Sequence, residues 1–350
     1  MNVLITGGCG FLGSNVASRF LQDGARLTII DKMQKSGARE NLRWLQDSNK
    51  QDRELEFHEV DVASIDRMAD VFQKRGPFDY VCHLAGQVAM TTSLADPLCD
   101  FRTNALGTVH VLECARKWSP RALVAFSSTN KVYGDLRHLE YSQNETRYLL
   151  PEYPNGIDET MPLDFASPYG CSKGSADQYV RDWYRNFGLD TVVFRHSSIY
   201  GGRQYATADQ GWIGWFAKQA IEQDACKRRG AEVVPFTISG TGKQVRDVLH
   251  SEDLISLYQT AYEKRSLCAG EVFNIGGGMN NSLSLIELFE QLSHLLGRSD
   301  GLSYSRLPRR QSDQDFFVAD ITKAHKLLGW SPRISTNQGL TQMIDWVGSL

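Results

Sequence analysis

The 350-residue chain lacks any Cys-x-x-Cys pair, and its seven cysteines (Cys9, Cys82, Cys99, Cys114, Cys171, Cys226 and Cys268) are odd in number and scattered. That argues against a disulfide framework or a cysteine zinc site and for a reducing compartment. No His, Cys or Asp cluster has metal-ligand spacing, so no metal is expected. No apolar run approaches the roughly 18 residues of a membrane span. Charge bias is missing too: 38 basic and 41 acidic residues leave a net charge of −3. Neither nucleic acid nor an anionic membrane is an expected partner. Internal repeats and low-complexity segments are absent. The chain starts directly on the strand-like Val3-Leu4-Ile5. With no room there for a signal peptide, the expected location is the cytoplasm.

What remains is ordinary globular material, 41% hydrophobic and 23% charged. Short apolar runs read as buried parallel strands at Val3–Ile5, Arg26–Ile30, Glu56–Val60, Tyr80–Leu84, Ala122–Ser127 and Thr191–Phe194. Helical patterns lie between them at Phe11–Gln22, Ile65–Lys74, Phe101–Lys117 and Tyr169–Phe187. This alternation predicts an α/β fold, a doubly wound parallel sheet of Rossmann type with helices on both faces. Residues 134–166 break the rhythm and have the length of a lid or binding loop. From about residue 200 the alternation weakens into helical and loop pieces. The expected division is a dinucleotide-binding domain over 1–190 and a smaller C-terminal lobe over 191–350, mainly for substrate, with some chain returning to the first domain.

The first strand runs into Thr6-Gly7-Gly8-Cys9-Gly10-Phe11-Leu12-Gly13 and then a helix. Glycines at 7, 10 and 13 suit a tight turn and a close phosphate approach, and the helix N-terminus offers free N–H groups to a pyrophosphate. The second strand ends at Asp31, 18 residues after Gly13. A carboxylate there accepts from ribose hydroxyls and repels a 2′-phosphate, favouring NAD over NADP. Lys32, Lys35 and Arg39 follow closely, which leaves room for some NADP tolerance. Asp61 and Val62, after the third strand, are placed to hold adenine.

Ser167-Pro168-Tyr169-Gly170-Cys171-Ser172-Lys173 carries the expected chemistry. Ser167 suits an N-cap and Pro168 the first helical position, so Tyr169 and Lys173 share one helix face. A nearby ammonium and a positive nicotinamide ring would lower the phenol's pKa and let it act as a base. Ala125–Thr129 is an apolar strand ending in three hydroxyls, and Thr129 can relay the substrate's proton to Tyr169. Ser127 stands two residues before it, on the cofactor side.

Together with His83-Leu84-Ala85-Gly86, Asn104-x-x-Gly107-Thr108, Arg195–Arg203, Arg246-Asp247-Val248-x-His250 and Arg310–Asp313, these motifs resemble the extended short-chain dehydrogenase/reductase family over the whole chain. The resemblance implies NAD contacts at Gly7, Gly10, Phe11, Leu12, Gly13, Asp31, Asp61, Val62, Leu84, Ala85, Asn104, Ser127, Tyr169 and Lys173. Catalysis would fall to Thr129, Tyr169 and Lys173. The stretches Gly86–Ser93, Ser127–Gly134, Phe194–Ser198, Asp209–Phe216 and Ser239–Asp247 are similar to a branch whose members invert C2 of CDP-linked hexoses. That implies a CDP-sugar substrate contacted by Gln87, Thr91, Thr92, Ser93, Thr129, His196, Ser198, Arg203, Gln244, Arg246, Arg310 and Asp313. Arg246 and Arg310 suit a diphosphate clamp, because guanidinium forks match phosphate oxygens.

Two departures from the wider family stand out. Its sugar 4,6-dehydratases place Asp-Glu after the hydroxyl residue, where this chain has Asn130-Lys131 and cannot supply that acid–base pair. Ser198 and Gly202 replace a frequent Asn and Pro, which bears on the diphosphate contact. Other substrates stay open at this point: C2 of CDP-glucose or C4 of a UDP-hexose. A non-catalytic NAD sensor or scaffold is the alternative of another class. A homo-oligomer is expected on general grounds.

Overall fold

The computed structural model describes residues 1–49, 53–309 and 313–350. The elements of the first half are β1 (Asn2–Thr6), α1 (Phe11–Gln22), β2 (Arg26–Asp31), α2 (Ala38–Ser48), β3 (Leu55–Glu59), α3 (Ile65–Arg75), β4 (Tyr80–His83), α4 (Met90–Ala95), α5 (Pro97–Phe101), α6 (Gly107–Trp118), β5 (Leu123–Thr129), β6 (Ser142–Gln143) and β7 (Tyr148–Leu149). Then follow α7 (Pro168–Phe187), β8 (Thr191–His196), β9 (Ser198–Tyr200), α8 (Trp212–Arg228), β10 (Phe236–Ser239), β11 (Val245–His250), α9 (Ser251–Glu263), α10 (Arg265–Cys268), β12 (Val272–Ile275), β13 (Ser282–Ser284), α11 (Leu285–Leu295), β14 (Tyr304–Leu307), β15 (Phe316–Phe317), α12 (Thr322–Leu328) and α13 (Thr336–Gly348).

Seven strands form a central sheet in the order β12-β8-β5-β4-β1-β2-β3, parallel throughout. The chain leaves β1 toward β2 and β3, then returns to β4 on the other side. Strand order therefore reverses between β1 and β4, the place where such sheets open a ligand crevice. The strands read as apolar runs because both faces are covered. Val3 and Ile5 of β1 and Leu123 and Ala125 of β5 enter one core, with α1 and α9. Leu4, Val124 and Phe126 enter the other, with α3, α6 and α7.

Sequence periodicity gives the bounds of α1 as observed, and those of α3 and α7 to within one residue. It overruns at Phe101–Lys117. There α5 ends at Phe101, residues Arg102–Leu106 form one wide π-type turn, and α6 begins at Gly107. It also passes over α2 and β12, and β12 is an edge strand of the central sheet contributed from beyond residue 270. β12 is short and carries the polar Asn274, so it does not stand out as an apolar run.

After β8 a second layer forms, with β9, β13 and β15 paired to β11, and β10 paired to β14. Phe216, Phe236, Phe289 and Met343 centre its core. A fourth apolar cluster joins the 132–161 segment to Phe316 and Phe317 of β15. Among the described residues no helix is long and apolar enough to cross a membrane.

Candidate active site

A cleft of about 500 Å³ opens at the carboxyl ends of β1, β2, β4, β5 and β8. One end is the glycine loop. Gly7 has φ +69°, and a Cβ there would stand 2.7 Å from the Ala85 nitrogen. A Cβ on Gly13 would stand 2.1 Å from the Gly7 carbonyl oxygen. Both positions demand glycine, because the obstruction is backbone. A Cβ on Gly10 would meet only the Gly7 oxygen, at 3.2 Å, so its face is open to the cleft. Gly10 caps α1 without a side-chain hydrogen bond, and the first turn of α1 carries no acid. The helix N-terminus thus presents unmatched N–H groups and a positive dipole end, the donor set that fits a dinucleotide pyrophosphate.

Asp31 ends β2 on the cleft wall. Its carboxylate accepts from the Cys9 N–H at 3.0 Å and the Met33 N–H at 2.8 Å. Burial raises its pKa against these N–H groups and the nearby Lys32 charge. Lys32 and Lys35 line the same end, and Lys32 lies 3.7 Å from Asp61. Phe11, Leu12, Asp61, Val62, Leu84, Ala85 and Ser127 also line the cleft. Asn104 does not. It is buried behind the wall, where its amide donates to the Gln87 carbonyl at 2.9 Å and the Ser172 hydroxyl at 3.0 Å.

The other end holds Thr129, Tyr169, Lys173 and His196, all on the wall and all buried. Ser167 caps α7 by accepting the Gly170 N–H at 3.1 Å, with Pro168 at the first helical position. This sets Tyr169 and Lys173 one turn apart, facing the end of β5. Burial pushes the Tyr169 phenol up to about 12, opposed by a hydrogen bond to the Thr129 hydroxyl. The expected lowering by Lys173 is not what holds this phenol. Lys173 instead donates to the Ser127 carbonyl. Its own pKa falls to about 7 through burial, against the pull of Asp177 and Asp100.

His196 faces Thr129 in register across β5 and β8. Both ring nitrogens are buried without a hydrogen-bond partner among the described residues. Burial, aided by the Lys173 charge, lowers its pKa to about 3, so the ring is neutral. Leaving two buried ring nitrogens unpaired costs about 1–3 kcal/mol each.

The expected substrate residues divide. Thr92, His196 and Arg203 line the cleft. Arg203, at φ +68°, lies between Trp44 and Trp346, 4.3 and 4.7 Å from their ring centroids. Gln87 and Ser93 are buried behind the wall with protein partners: Gln87 bonds Asp100 and Ala89, and Ser93 bonds the Met90 carbonyl. Thr91 is exposed on α4, off the wall. Ser198 accepts the Trp212 indole N–H at 3.1 Å, and Gln244 donates to the Ser239 carbonyl at 2.9 Å. Arg246 pairs with Asp313 at 2.7 Å, and Lys131 stands 3.7 Å from the same carboxylate. Of these only Lys131 is near Thr129 and Asn130 in sequence, and none of the three lines the cleft. Arg310 lies outside the described residues.

Sequence reasoning passed over the support behind the site. Arg195 holds Asp177 through two bonds of 2.9 Å, and Asp177 also accepts the Ser128 hydroxyl at 2.8 Å. The pair is almost wholly buried, at 3% and 0% exposure. Its signal was spacing: 169, 173 and 177 fall on one face of α7. Ser197, Gln204, Tyr205, Thr207 and Gln210 also line the cleft; Ser197 and Gln210 fall in stretches that carried the family resemblance, while Gln204, Tyr205 and Thr207 carried no comparable signal.

Comparison with known proteins agrees with this geometry. The family model described as GDP-mannose 4,6 dehydratase matches residues 4–343. The CDP-paratose 2-epimerase of Salmonella typhi is 50% identical over 350 residues, covering all of both chains. Among solved structures, the UDP-glucose 4-epimerase of Thermotoga maritima with UDP-glucose is 29% identical at TM-score 0.81, covering 100% of this chain and 99% of that one. The UDP-glucuronic acid 4-epimerase of Bacillus cereus, in complex with UDP-glucuronic acid and NAD, is 25% identical at TM-score 0.82 with the same coverage. The glycine cradle, the Tyr169–Lys173 helix and these matches together place the chain in the extended short-chain dehydrogenase/reductase family.

Proposed function

We propose that this chain is an NAD-dependent nucleotide-sugar epimerase, an isomerase that inverts C2 of a CDP-hexose and converts CDP-paratose to CDP-tyvelose. The observation that carries the reading is the convergence of Thr129, Tyr169 and Lys173 on the wall of the cleft whose far end is the glycine cradle. The choice of sugar draws support from the full-length likeness to the Salmonella typhi enzyme. When bound, NAD supplies a hydride acceptor that returns what it takes, which a C2 inversion needs because a 3-methylene leaves no carbonyl to acidify the C2 hydrogen.

The chain's residues do the rest. Gly7, Gly10, Gly13 and the α1 N-terminus hold the pyrophosphate, and Asp31 accepts from the adenosine ribose. Tyr169 takes the proton of the sugar's 2-hydroxyl and later gives it back. Thr129 shares that proton through its bond to the phenol. A phenol pushed up to about 12 is a poor base near neutrality, so a positive charge delivered beside it is what makes it effective. Lys173 holds the nicotinamide ribose. The neutral ring of His196 and the Thr92 hydroxyl orient the sugar, whose oxidised form must turn so that its other face accepts the returning hydrogen. The diphosphate is assigned to Arg246, which Asp313 aligns beyond the wall of the described cleft, and to Arg310. In this reading residues 1–190 mainly serve the cofactor and 191–350 mainly the nucleotide sugar. Dehydration is disfavoured, since Asn130, whose amide donates to Gln314 at 3.1 Å, and Lys131 stand where a carboxylic acid–base pair would be needed to remove water.

The test is proton NMR of the purified protein with CDP-paratose in D2O and no added cofactor. The expected result is the C2 epimer with hydrogen retained at C2, and a Tyr169→Phe variant slowed by about 10²–10⁴-fold. Deuterium at C2 overturns the hydride route. No change with CDP-paratose while CDP-glucose or UDP-galactose turns over overturns the substrate assignment.

A further inference from the structure

Behind the reacting groups, a closed ring of buried polar side chains joins the Gly86–Ala89 wall of the cleft to the catalytic helix. Asp100 of α5 is fully buried; one carboxylate oxygen accepts from the Gln87 amide at 2.9 Å and the other accepts the Ser172 hydroxyl. Asn104 closes the ring. Its amide donates to Ser172 Oγ at 3.0 Å, and its Oδ1 accepts the Gln87 N–H at 2.8 Å. The Ser172 hydroxyl also stands 3.2 Å from the Tyr169 carbonyl, but Asp100 is its nearer acceptor and takes the proton. Both Asp100 oxygens therefore act as acceptors, the bonding pattern of a carboxylate.

None of the ion pairs among the described residues includes Asp100. A buried carboxylate with no touching cation is costly, so its charge calls for an account. The cation it acts on is Lys173, next in sequence to Ser172. Burial works against the Lys173 ammonium, and Asp177 and Asp100 support it. Asp177, from α7 itself, is matched by the two-pronged grip of Arg195 from β8. His83 from β4 and His196 from β8 are neutralised by burial, and both feel the Lys173 charge. Asp100 is the anion left over, and it also raises the Tyr169 phenol.

We propose that Asp100 is a positioning residue for the catalytic pair: held by Ser172 and Gln87, its carboxylate keeps the Lys173 ammonium charged inside the protein and locks the catalytic helix to the Gly86–Ala89 wall. This rests on the reading of Tyr169 and Lys173 as catalytic. Asp100→Asn isolates the charge. The new amide oxygen accepts from Gln87, its nitrogen donates to Ser172, and Ser172 turns its proton to the Tyr169 carbonyl, 3.2 Å away. Every hydrogen bond is kept and only the charge is lost.

The test is NMR titration of the full chain labelled with 13C at lysine Cε, the Lys173 signal being assigned by its loss in Lys173→Met. In Asp100→Asn the Lys173 midpoint moves to lower pH by on the order of one pH unit. Ser172→Ala keeps the charge, removes only the tether and moves it far less. In turnover, both limbs of the kcat/KM profile of Asp100→Asn move to lower pH, because removing a negative charge eases deprotonation of Tyr169 and Lys173 alike. A folded Asp100→Asn with an unmoved Lys173 midpoint overturns the proposal. Should that variant fail to fold, Asp100→Ser removes the same charge and is read the same way. A wild-type chain inactive on CDP-sugars would sink the functional reading, while the lysine titration still decides the role of Asp100.

Discussion

Lys173 donates its ammonium to the main-chain carbonyl of Ser127 and lies 4.1 Å from the centroid of the Phe126 ring. The cation of α7 is thereby fastened to the strand that ends in Thr129, and the phenol of Tyr169 is left to Thr129. Strand and helix act as one rigid mount, which suits a site that must place a hydroxyl and its base within hydrogen-bond reach.

The glycine cradle gives the plainest expectation. In Gly13→Ala the new methyl would meet the Gly7 carbonyl 2.1 Å away, and no side-chain rotation relieves it. The purified variant should carry little dinucleotide, measured as 260 nm absorbance after acid release, and should melt below the wild type. Full cofactor content would show that the loop does not hold the pyrophosphate.

His196 offers a separation of function from stability. Its two nitrogens have no partner to lose, so His196→Leu should leave the melting temperature of the cofactor-free protein unchanged or raise it. Catalytic efficiency should fall about 10–100-fold, the worth of one or two hydrogen bonds to the substrate. Unchanged kcat/KM would mean that the ring does not touch the sugar.

Asp31 should govern cofactor choice. Asp31→Asn keeps an acceptor for one of the Cys9 and Met33 N–H groups, which bond different carboxylate oxygens, and removes the charge that repels a 2′-phosphate. With Lys32 and Lys35 on the same wall, preference for NADH over NADPH should fall about tenfold or more. Fluorescence titration of the cofactor-free protein with each reads the ratio, and an unchanged ratio removes Asp31 from that role.

Asp247 should make stability depend on pH. It is fully buried, its pKa is raised to about 6, and one carboxylate oxygen has no partner among the described residues. The folded state therefore binds the proton more tightly than the unfolded chain. The penalty for the charged form is absent below about pH 4 and complete above about pH 6. Relative to wild type, Asp247→Asn should gain up to about 3 kcal/mol of stability as pH rises through that window. Denaturant melts of both proteins at pH 4 and pH 7 check this, and a constant difference would contradict it.

Much of the site was legible because its residues sit where local rules put them. Glycines at 7, 10 and 13 follow a strand and open a helix, Asp31 ends the next strand, and Ser167-Pro168 starts the helix that carries Tyr169 and Lys173. Asp100 and Asp177 were not legible in the same way. An aspartate four residues before Asn104 or four after Lys173 is an ordinary helical residue until the fold shows it buried.

The sequence by itself determined the doubly wound architecture and the cofactor end of the cleft, because strand periodicity, glycine sterics and helix capping act over a few neighbouring residues. Only the tertiary structure decided that β12 joins the central sheet from beyond residue 270, and that Thr129 meets His196 across β5 and β8. It also decided that Gln244 and Ser198 turn to protein partners, and that Asp100 closes a ring with Gln87, Asn104 and Ser172. These depend on contacts between segments far apart in the chain, and on the burial that gives their charges weight. Neither is written in any local pattern.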